Sequence, residues 1–380
     1  MVSETLHIKN FGPIKDVTID FKKINIFIGE QGTGKSTVAK LVASINRMAG
    51  GETLASGEYG FMRVDEYGKI EHFKSHLKTY EIDTYITSST EIEYRHAFFT
   101  FKYKDGNCFI DKVKIIGGGD GPYEFFSTTF IPADRGAVNL LSNELLYSLN
   151  EINQDLPGYF VRFGQLFNRL KKRKTEFDFS DTLGVLYKHE NNQDKIYIAG
   201  QKEIALTLAS SAIQTNIPLL VVVNNQSENE SHFGFMSSDL KLTIIEEPEL
   251  NCFPLLQNSI LKYMVVCANP PFPHAINSEG YMRRIVVTTH SPYILAALNN
   301  LMYAHEIGQE NKEDVEALGI PSKYWVNPND VGTYLLKDGY AENIIDEELK
   351  QIKVEKIDEV SEELSKQWHQ LADLKFEKQG

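Results

Sequence analysis

The sequence predicts an α/β fold: a mixed, largely parallel core sheet, an antiparallel β subdomain and a short helical insertion. Three observations predict it. An apolar β-branched run, Ile24-Asn25-Ile26-Phe27-Ile28, passes through a glycine-rich turn into Val38, Leu41, Val42 and Ile45 at helical spacing. Two later apolar runs, 241–245 and 284–289, also end in polar clusters followed by helical patterns, as buried parallel strands do. Residues 61–131, by contrast, are β-rich and turn-punctuated.

Residues 4–9 and 16–21 alternate apolar and polar side chains and read as a hairpin leading into the strand at 24–28. Residues 29–36 then read G-E-Q-G-T-G-K-S, a full match to the phosphate-binding P-loop G-x-x-x-x-G-K-[ST]. Gly29, Gly32 and Gly34 allow successive backbone N–H groups to turn inward, with Thr33 between the last two. Lys35 supplies charge for β- and γ-phosphates, and the Ser36 hydroxyl is placed to ligate Mg²⁺. The helix starting near Lys35 aims its N-terminal dipole at the same phosphates. The motif points at ATP or GTP.

The β-rich segment divides into strands at 84–87, 95–104, 108–116 and 123–131. Gly117-Gly118-Gly119-Asp120-Gly121 reads as a hairpin turn, since no helix follows it. Residues 138–175 read as two helical stretches divided by Pro157 and Gly158, ending in Arg169, Lys171, Lys172, Arg173 and Lys174. Strands at 183–189 and 195–199 follow, then a helix from Ser211 and a polar loop at 224–238. Strand 241–246, helix 254–267, strand 284–289, helix 293–301 and a strand pair near 331–345 come next. An amphipathic helix near 355–376 (Val360, Leu364, Trp368, Leu371, Leu374) ends the chain.

Composition narrows the function. At 380 residues, 42% hydrophobic and 24% charged, the chain has the make-up of an ordinary soluble globular protein. Its longest apolar run, 217–223, falls well short of the ~20 residues that span a membrane, so no membrane partner is expected. The alternating start is a strand rather than a signal peptide. Cys108, Cys252 and Cys267 lack metal-type spacing and suit a reducing cytoplasm, the expected location. A net charge of −13 argues against broad nonspecific nucleic-acid binding, while leaving room for a local basic face at 169–174.

Three further clusters extend the P-loop. The strand at 241–245 runs into Glu246-Glu247-Pro248-Glu249. At a parallel strand end, Glu246 can hold Mg²⁺ through water and Glu247 can orient and polarise an attacking water; the bland alternative is a solvated strand end. The strand at 284–289 ends at His290-Ser291-Pro292, where an imidazole can hydrogen-bond a γ-phosphate or serve structure alone. Ala209-Ser210-Ser211-Ala212-Ile213-Gln214 opens a helix and is either an anion site or an ordinary cap.

In this order the four motifs resemble the ABC-type ATPase heads of the SMC/RecF/OLD superfamily. Ile8-Lys9-Asn10-Phe11-Gly12-Pro13-Ile14, with Ile26-Phe27-Ile28-Gly29-Glu30, is similar to that family's opening. Phe130-Ile131-Pro132-Ala133-Asp134-Arg135 resembles a segment of its OLD-like bacterial branch, which includes defence-associated, PtuA-like ATPases. The resemblance implies that Lys35, Ser36 and Thr37 bind phosphates and Mg²⁺ and that Glu246 is the Walker B acid. It makes Glu247 the catalytic glutamate, His290 the switch histidine and Ser211 the signature serine, which contacts ATP in trans so that two heads sandwich two nucleotides. Two departures stand out: Ala212 replaces the signature glycine, and Glu246 the usual aspartate. The expected organisation is a head over 1–300, with a β-rich segment at 61–131, a helical insertion at 136–178 and a signature and Walker B lobe at 200–300. Residues 301–380 complete it as a C-terminal extension.

The span between Lys35 and Ser211 is too short for SMC-type coiled-coil arms, and no clustered metal acids follow His290 as in OLD nucleases. The leading expectation is therefore a slow ATPase that forms a homodimer or higher oligomer and controls a separate effector protein, a nuclease or toxin, in bacterial anti-phage defence. The alternatives are a RecF-like DNA-repair clamp, with DNA as partner, and a nucleotide-locked scaffold with negligible turnover.

Overall fold

Glu4–Phe11 (β1) and Ile14–Phe21 (β2) pair as an antiparallel hairpin that delivers the chain to Ile24–Ile28 (β3). All of β3 is buried because helices cover both faces of the sheet around it. Ile24, Ile26 and Ile28 enter one core and Phe27 the other, the two-residue alternation of a strand. The structure, a computed structural model, describes residues 4–49, 66–96, 99–112, 126–141, 156–200, 203–227, 240–268, 283–353 and 366–367.

After β3 come Lys35–Ala49 (α1) and Glu66–Thr79 (α2), then Glu91–Arg95 (β4), Phe99–Lys104 (β5), Asn107–Lys112 (β6) and Phe126–Ile131 (β7). A 3-10 helix, Ala133–Leu140, follows β7, and Gly158–Arg173 (α3) leads to Glu176–Phe179 (β8). Next are Ser180–Leu183 (α4), Val185–Glu190 (β9), Gln193–Ile198 (β10), Ile204–Ala205 (β11) and Ser211–Ser227 (α5). The remainder is Leu240–Glu246 (β12), Pro254–Ala268 (α6), Arg283–Thr289 (β13), Pro292–Gly308 (α7), Lys312–Ala317 (α8), Val331–Lys337 (β14) and Tyr340–Asn343 (β15).

Among the described residues, eleven strands form one mixed sheet in the order β6-β5-β4-β1-β2-β15-β14-β3-β13-β12-β7. The run from β14 to β7 is parallel throughout, whereas β1, β2 and β4 to β6 pair antiparallel. A separate antiparallel sheet has the order β11-β10-β9-β8. This is the α/β class expected, with a mixed sheet and a separate antiparallel unit, but that unit is formed by residues 176–205, whereas β4 to β7 of the 61–131 segment join the main sheet. Helices α1 and α2 pack on one face, while α3, α5, α6 and α7 cover the other. No described helix is long and apolar enough to cross a membrane.

Several local expectations are corrected. The strand expected at 84–87 is instead a 3-10 turn, Asp83–Tyr85, set up by the left-handed Glu81. The single strand expected at 95–104 is two, closed by the bond from His96 N–H to the Phe99 carbonyl. Helix α2 occupies part of the β-rich segment, because Phe73, Leu77 and Tyr80 recur at helical spacing and bury against the sheet. The stretch expected to be helical from 138 contains the 3-10 helix and α3; residues 142–155 between them lie outside the described residues. The loop expected at 224–238 begins later, since 224–227 form the last turn of α5; its residues 228–238 lie outside the described residues, as do the glycine run at 117–121 and the terminal helix near 355–376 apart from residues 366–367.

Candidate functional site

Strand register assembles the site. Ile28, the last residue of β3, pairs with Thr289, and His290 follows. Thr288 pairs with Glu246, and Glu247 follows. Ile245 pairs with Ile131, and the segment 132–135 follows. Four parallel strands therefore release the P-loop, His290, Glu247 and Arg135 at one edge, where open α/β sheets bind ligands.

The P-loop closes on itself through glycine. A Cβ at Gly29 would stand 2.3 Å from the Leu336 carbonyl oxygen, and one at Gly34 (φ +100°) would stand 2.4 Å from Ile14 Cδ1. Neither position accepts a side chain. Thr33 Oγ1 donates to the Glu30 carbonyl at 2.9 Å, and Lys35 Nζ donates to the Gly29 and Glu30 carbonyls at 2.8 and 2.7 Å. Burial pushes Lys35 down to about 8, against the pull of Glu247 and Glu249. Gly32 faces open space, and Thr37 is buried one residue beyond Ser36.

His290 bridges the loop and the acids. Its Nδ1 lies 3.5 Å from Lys35 Nζ, and its Nε2 lies 3.5 Å from Glu247 Oε1. Glu247 adopts φ +44°, the left-handed region that side chains other than glycine seldom enter. Its N–H donates to the Thr288 carbonyl at 2.8 Å, and its carbonyl accepts from Arg135 at 3.0 Å. Glu246 is buried, which pushes its carboxyl upward; the Lys40 charge and bonds from the Ser36 hydroxyl and the Ala133 backbone act the other way.

Glu246 Oε1 has no hydrogen-bond partner among the described residues. A buried carboxylate oxygen left open beside a P-loop serine is a hard-oxygen pair that fits Mg²⁺. No cluster of three His, Cys, Asp or Glu side chains that could hold a metal occurs among the described residues. A cation at Ser36 and Glu246 would therefore complete its shell with water and phosphate oxygens, as Mg²⁺ does.

Ser211 lies on a different element from the P-loop. It is exposed at the start of α5, whose first turn is capped by the Ser210 hydroxyl, the acceptor for the Ile213 N–H at 3.4 Å. Helix α5 packs chiefly on the 133–140 segment, α3 and α6, and also meets β12, the strand that ends at Glu246. Two residues that the sequence reading left without roles join the site. Glu249 Oε1 accepts from Thr289 Oγ1 and from the His290 N–H, both at 2.8 Å, and so holds the histidine turn. Arg135 is fully buried and bonds the carbonyls of both Glu246 and Glu247. The third acid of the run after β12 was a usable signal for Glu249; nothing local in the sequence shows where the Arg135 guanidinium points.

A family model described as an AAA ATPase domain matches residues 1–47, the stretch from β1 through the P-loop and most of α1. No curated protein sequence matches the chain. Among solved structures, the chain is similar to an SMC head bound to the C-winged helix domain of ScpA, at 12% identity, covering 90% of this chain and 96% of that one with a TM-score of 0.44. It is also similar to the SMC head domain from Thermotoga maritima, at 10% identity, 90% and 98% coverage and a TM-score of 0.39. A third likeness is to the recombination mediator protein RecF-ATPrS in the RecFOR pathway, at 12% identity, 90% and 98% coverage and a TM-score of 0.36.

Proposed function

We propose that the chain is an ATP-binding and ATP-hydrolysing ABC-type head of the SMC/RecF class, joining a second copy around nucleotide and controlling a separate effector. One observation carries the reading: Lys35, His290 and Glu247 meet at consecutive parallel strand ends beside the open Glu246 oxygen. Lys35 and the P-loop N–H groups would hold the β- and γ-phosphates of ATP. Mg²⁺, held by Ser36 and by Glu246 through water, would neutralise phosphate charge when bound. Glu247 would orient the attacking water, and His290, poised between Lys35 and Glu247, would contact the γ-phosphate. The products are ADP and phosphate.

Dimerisation is supported by what one copy lacks at its own site. Ser211 is exposed, as a group meant for a second copy's nucleotide would be. Leu208, Phe253 and Leu255, near the Ser211 helix start and beyond the Glu247 turn, are each at least 74% exposed. Such apolar side chains gain most when a partner covers them. Ala212 in place of glycine restricts the backbone beside Ser211 and supports slow turnover. Control of a nuclease or toxin in anti-phage defence rests on the OLD-like resemblance of 130–135 alone. The DNA-clamp alternative loses ground: Lys171 is buried in an ion pair with Asp194 at 2.7 Å, and Lys174 lies over the Phe177 ring, so 169–174 is no continuous phosphate-facing stripe.

The test is Glu247→Gln, with mass and turnover measured in ATP and Mg²⁺. Turnover should fall roughly 10²–10⁴-fold while ATP stays bound, and the dimer fraction should rise. If neither ATP nor the substitution raises the dimer fraction, the head-to-head reading is wrong. Single-turnover assays separate an ATPase from a locked scaffold, which would keep its ATP intact.

A further inference from the structure

Arg135 has no exposed surface, and among the described residues its hydrogen bonds go to backbone carbonyls. These are Pro132 at 3.1 Å, Thr215 at 3.1 Å, Glu246 at 2.8 Å and Glu247 at 3.0 Å. Burial pushes the guanidinium down to about 10, against the pull of Cys252, Glu249, Glu247 and Glu246. Placing an arginine there is unfavourable unless its planar fork does something a smaller donor cannot. What it does is join two elements: the end of β12 and the second turn of α5, whose first residue is Ser211.

Helix α5 is built to receive this contact. Pro218 lies inside it and has no N–H, so the Gln214 carbonyl lacks its helical donor. Asn139 supplies one, donating from Nδ2 at 2.7 Å. The next carbonyl, Thr215, accepts from Arg135, and Thr215 Oγ1 accepts from Asn251, four residues beyond Glu247, at 3.0 Å. Close approach is possible because Gly136 lacks a side chain: a Cβ there would stand 3.2 Å from Thr215 Oγ1.

We propose that Arg135 is a positioning residue that sets the Glu247 carboxylate through the Glu247 backbone and ties that setting to the helix led by Ser211. This rests on Glu247 being the water-orienting group. The left-handed Glu247 is anchored on both sides, by Thr288 at its N–H and by Arg135 at its carbonyl. Removing one anchor lets the backbone relax toward ordinary φ and swings the carboxylate away from His290. Because the same guanidinium holds Thr215, a shift of α5 on meeting a second copy's nucleotide reaches Glu247 through one side chain.

The experiment uses the full chain and R135K, which keeps the charge but cannot reach both the Glu246–Glu247 turn and Thr215. We expect kcat to fall about 30- to 100-fold, since a displacement of about 1 Å costs on that order, with the Kd for ATP within threefold of wild type. The second readout is a double-mutant cycle: in an E247Q background, measured by single-turnover hydrolysis, R135K should add almost nothing, because both changes disable the same group. Should R135K fold poorly, G136A displaces the Thr215 contact from the helix side and should lower kcat several-fold at unchanged Kd. A kcat within threefold of wild type in R135K, or equal losses in both backgrounds, overturns the assignment of Arg135 and leaves the ATPase reading standing. Failure of the unsubstituted chain to bind ATP overturns the site reading itself, and this proposal with it.

Discussion

Two buried charge clusters in this molecule are completed in opposite ways. In the four-stranded sheet, Asp194 has both oxygens occupied. Oδ1 accepts from Tyr187 and lies 2.7 Å from His189 Nδ1, while Oδ2 accepts from Lys171 at 2.7 Å. At the parallel strand ends, Glu246 Oε1, Glu249 Oε2 and Thr288 Oγ1 have no hydrogen-bond partner among the described residues. Buried polar atoms are nearly always paired, so open oxygens beside a P-loop leave room for a ligand or cation. The clusters are similar in composition, each holding a buried lysine, a histidine and carboxylates. Completion, rather than residue type, distinguishes these two clusters.

The largest test of that contrast is Asp194→Ala. It strands a buried Lys171 and leaves the Tyr187 hydroxyl without its acceptor. The expected cost is about 3–5 kcal/mol of stability, read by denaturant melts, with the Kd for ATP unchanged. A change in Kd without loss of stability would reverse the two roles. A smaller effect, about 1.4 kcal/mol per pH unit, belongs to the open cluster. Lys35 is lowered to about 8, and it must be protonated to attract phosphate. Bound phosphate raises its pKa again, so binding takes up a proton above pH 8. The Kd for ATP should be flat below about 8 and weaken roughly tenfold per unit above it, measured by calorimetry, and Lys35→Met should abolish the dependence. The smallest effect is expected of Lys172→Ala with Arg173→Ala, both exposed at the end of α3. Stability should move by less than about 0.5 kcal/mol. Duplex binding with a salt slope that falls by about two on this change would restore the DNA-clamp alternative.

The site was legible in pieces and not as a whole. The P-loop could be read because its chemistry is local: glycines, lysine and serine must be adjacent for one loop to wrap phosphates. Glu246, Glu247 and His290 could be read because apolar strands end at them. Helix α2 was hidden because its apolar stripe, Phe73, Leu77 and Tyr80, is sparse within a charged stretch between β-like runs. The Lys171 ion pair was hidden because a basic run looks the same whether it faces water or Asp194. Glu249 was visible as a third acid, but its hold on the His290 N–H depends on two strands meeting in one register.

The sequence by itself determined that this chain has a P-loop between a buried strand and a helix, and that two later strands end in acids and a histidine. Periodicity and glycine placement act over a few residues, so they survive in one dimension. The tertiary structure alone decided that those ends lie side by side, that Glu246 keeps an oxygen open, that Ser211 is exposed, and that Arg135 joins the Glu247 turn to the Ser211 helix. The reason is physical. These properties depend on strand order, register and the direction of single side chains, which are set by packing between residues far apart in the chain, 255 positions in the contact between Lys35 and His290.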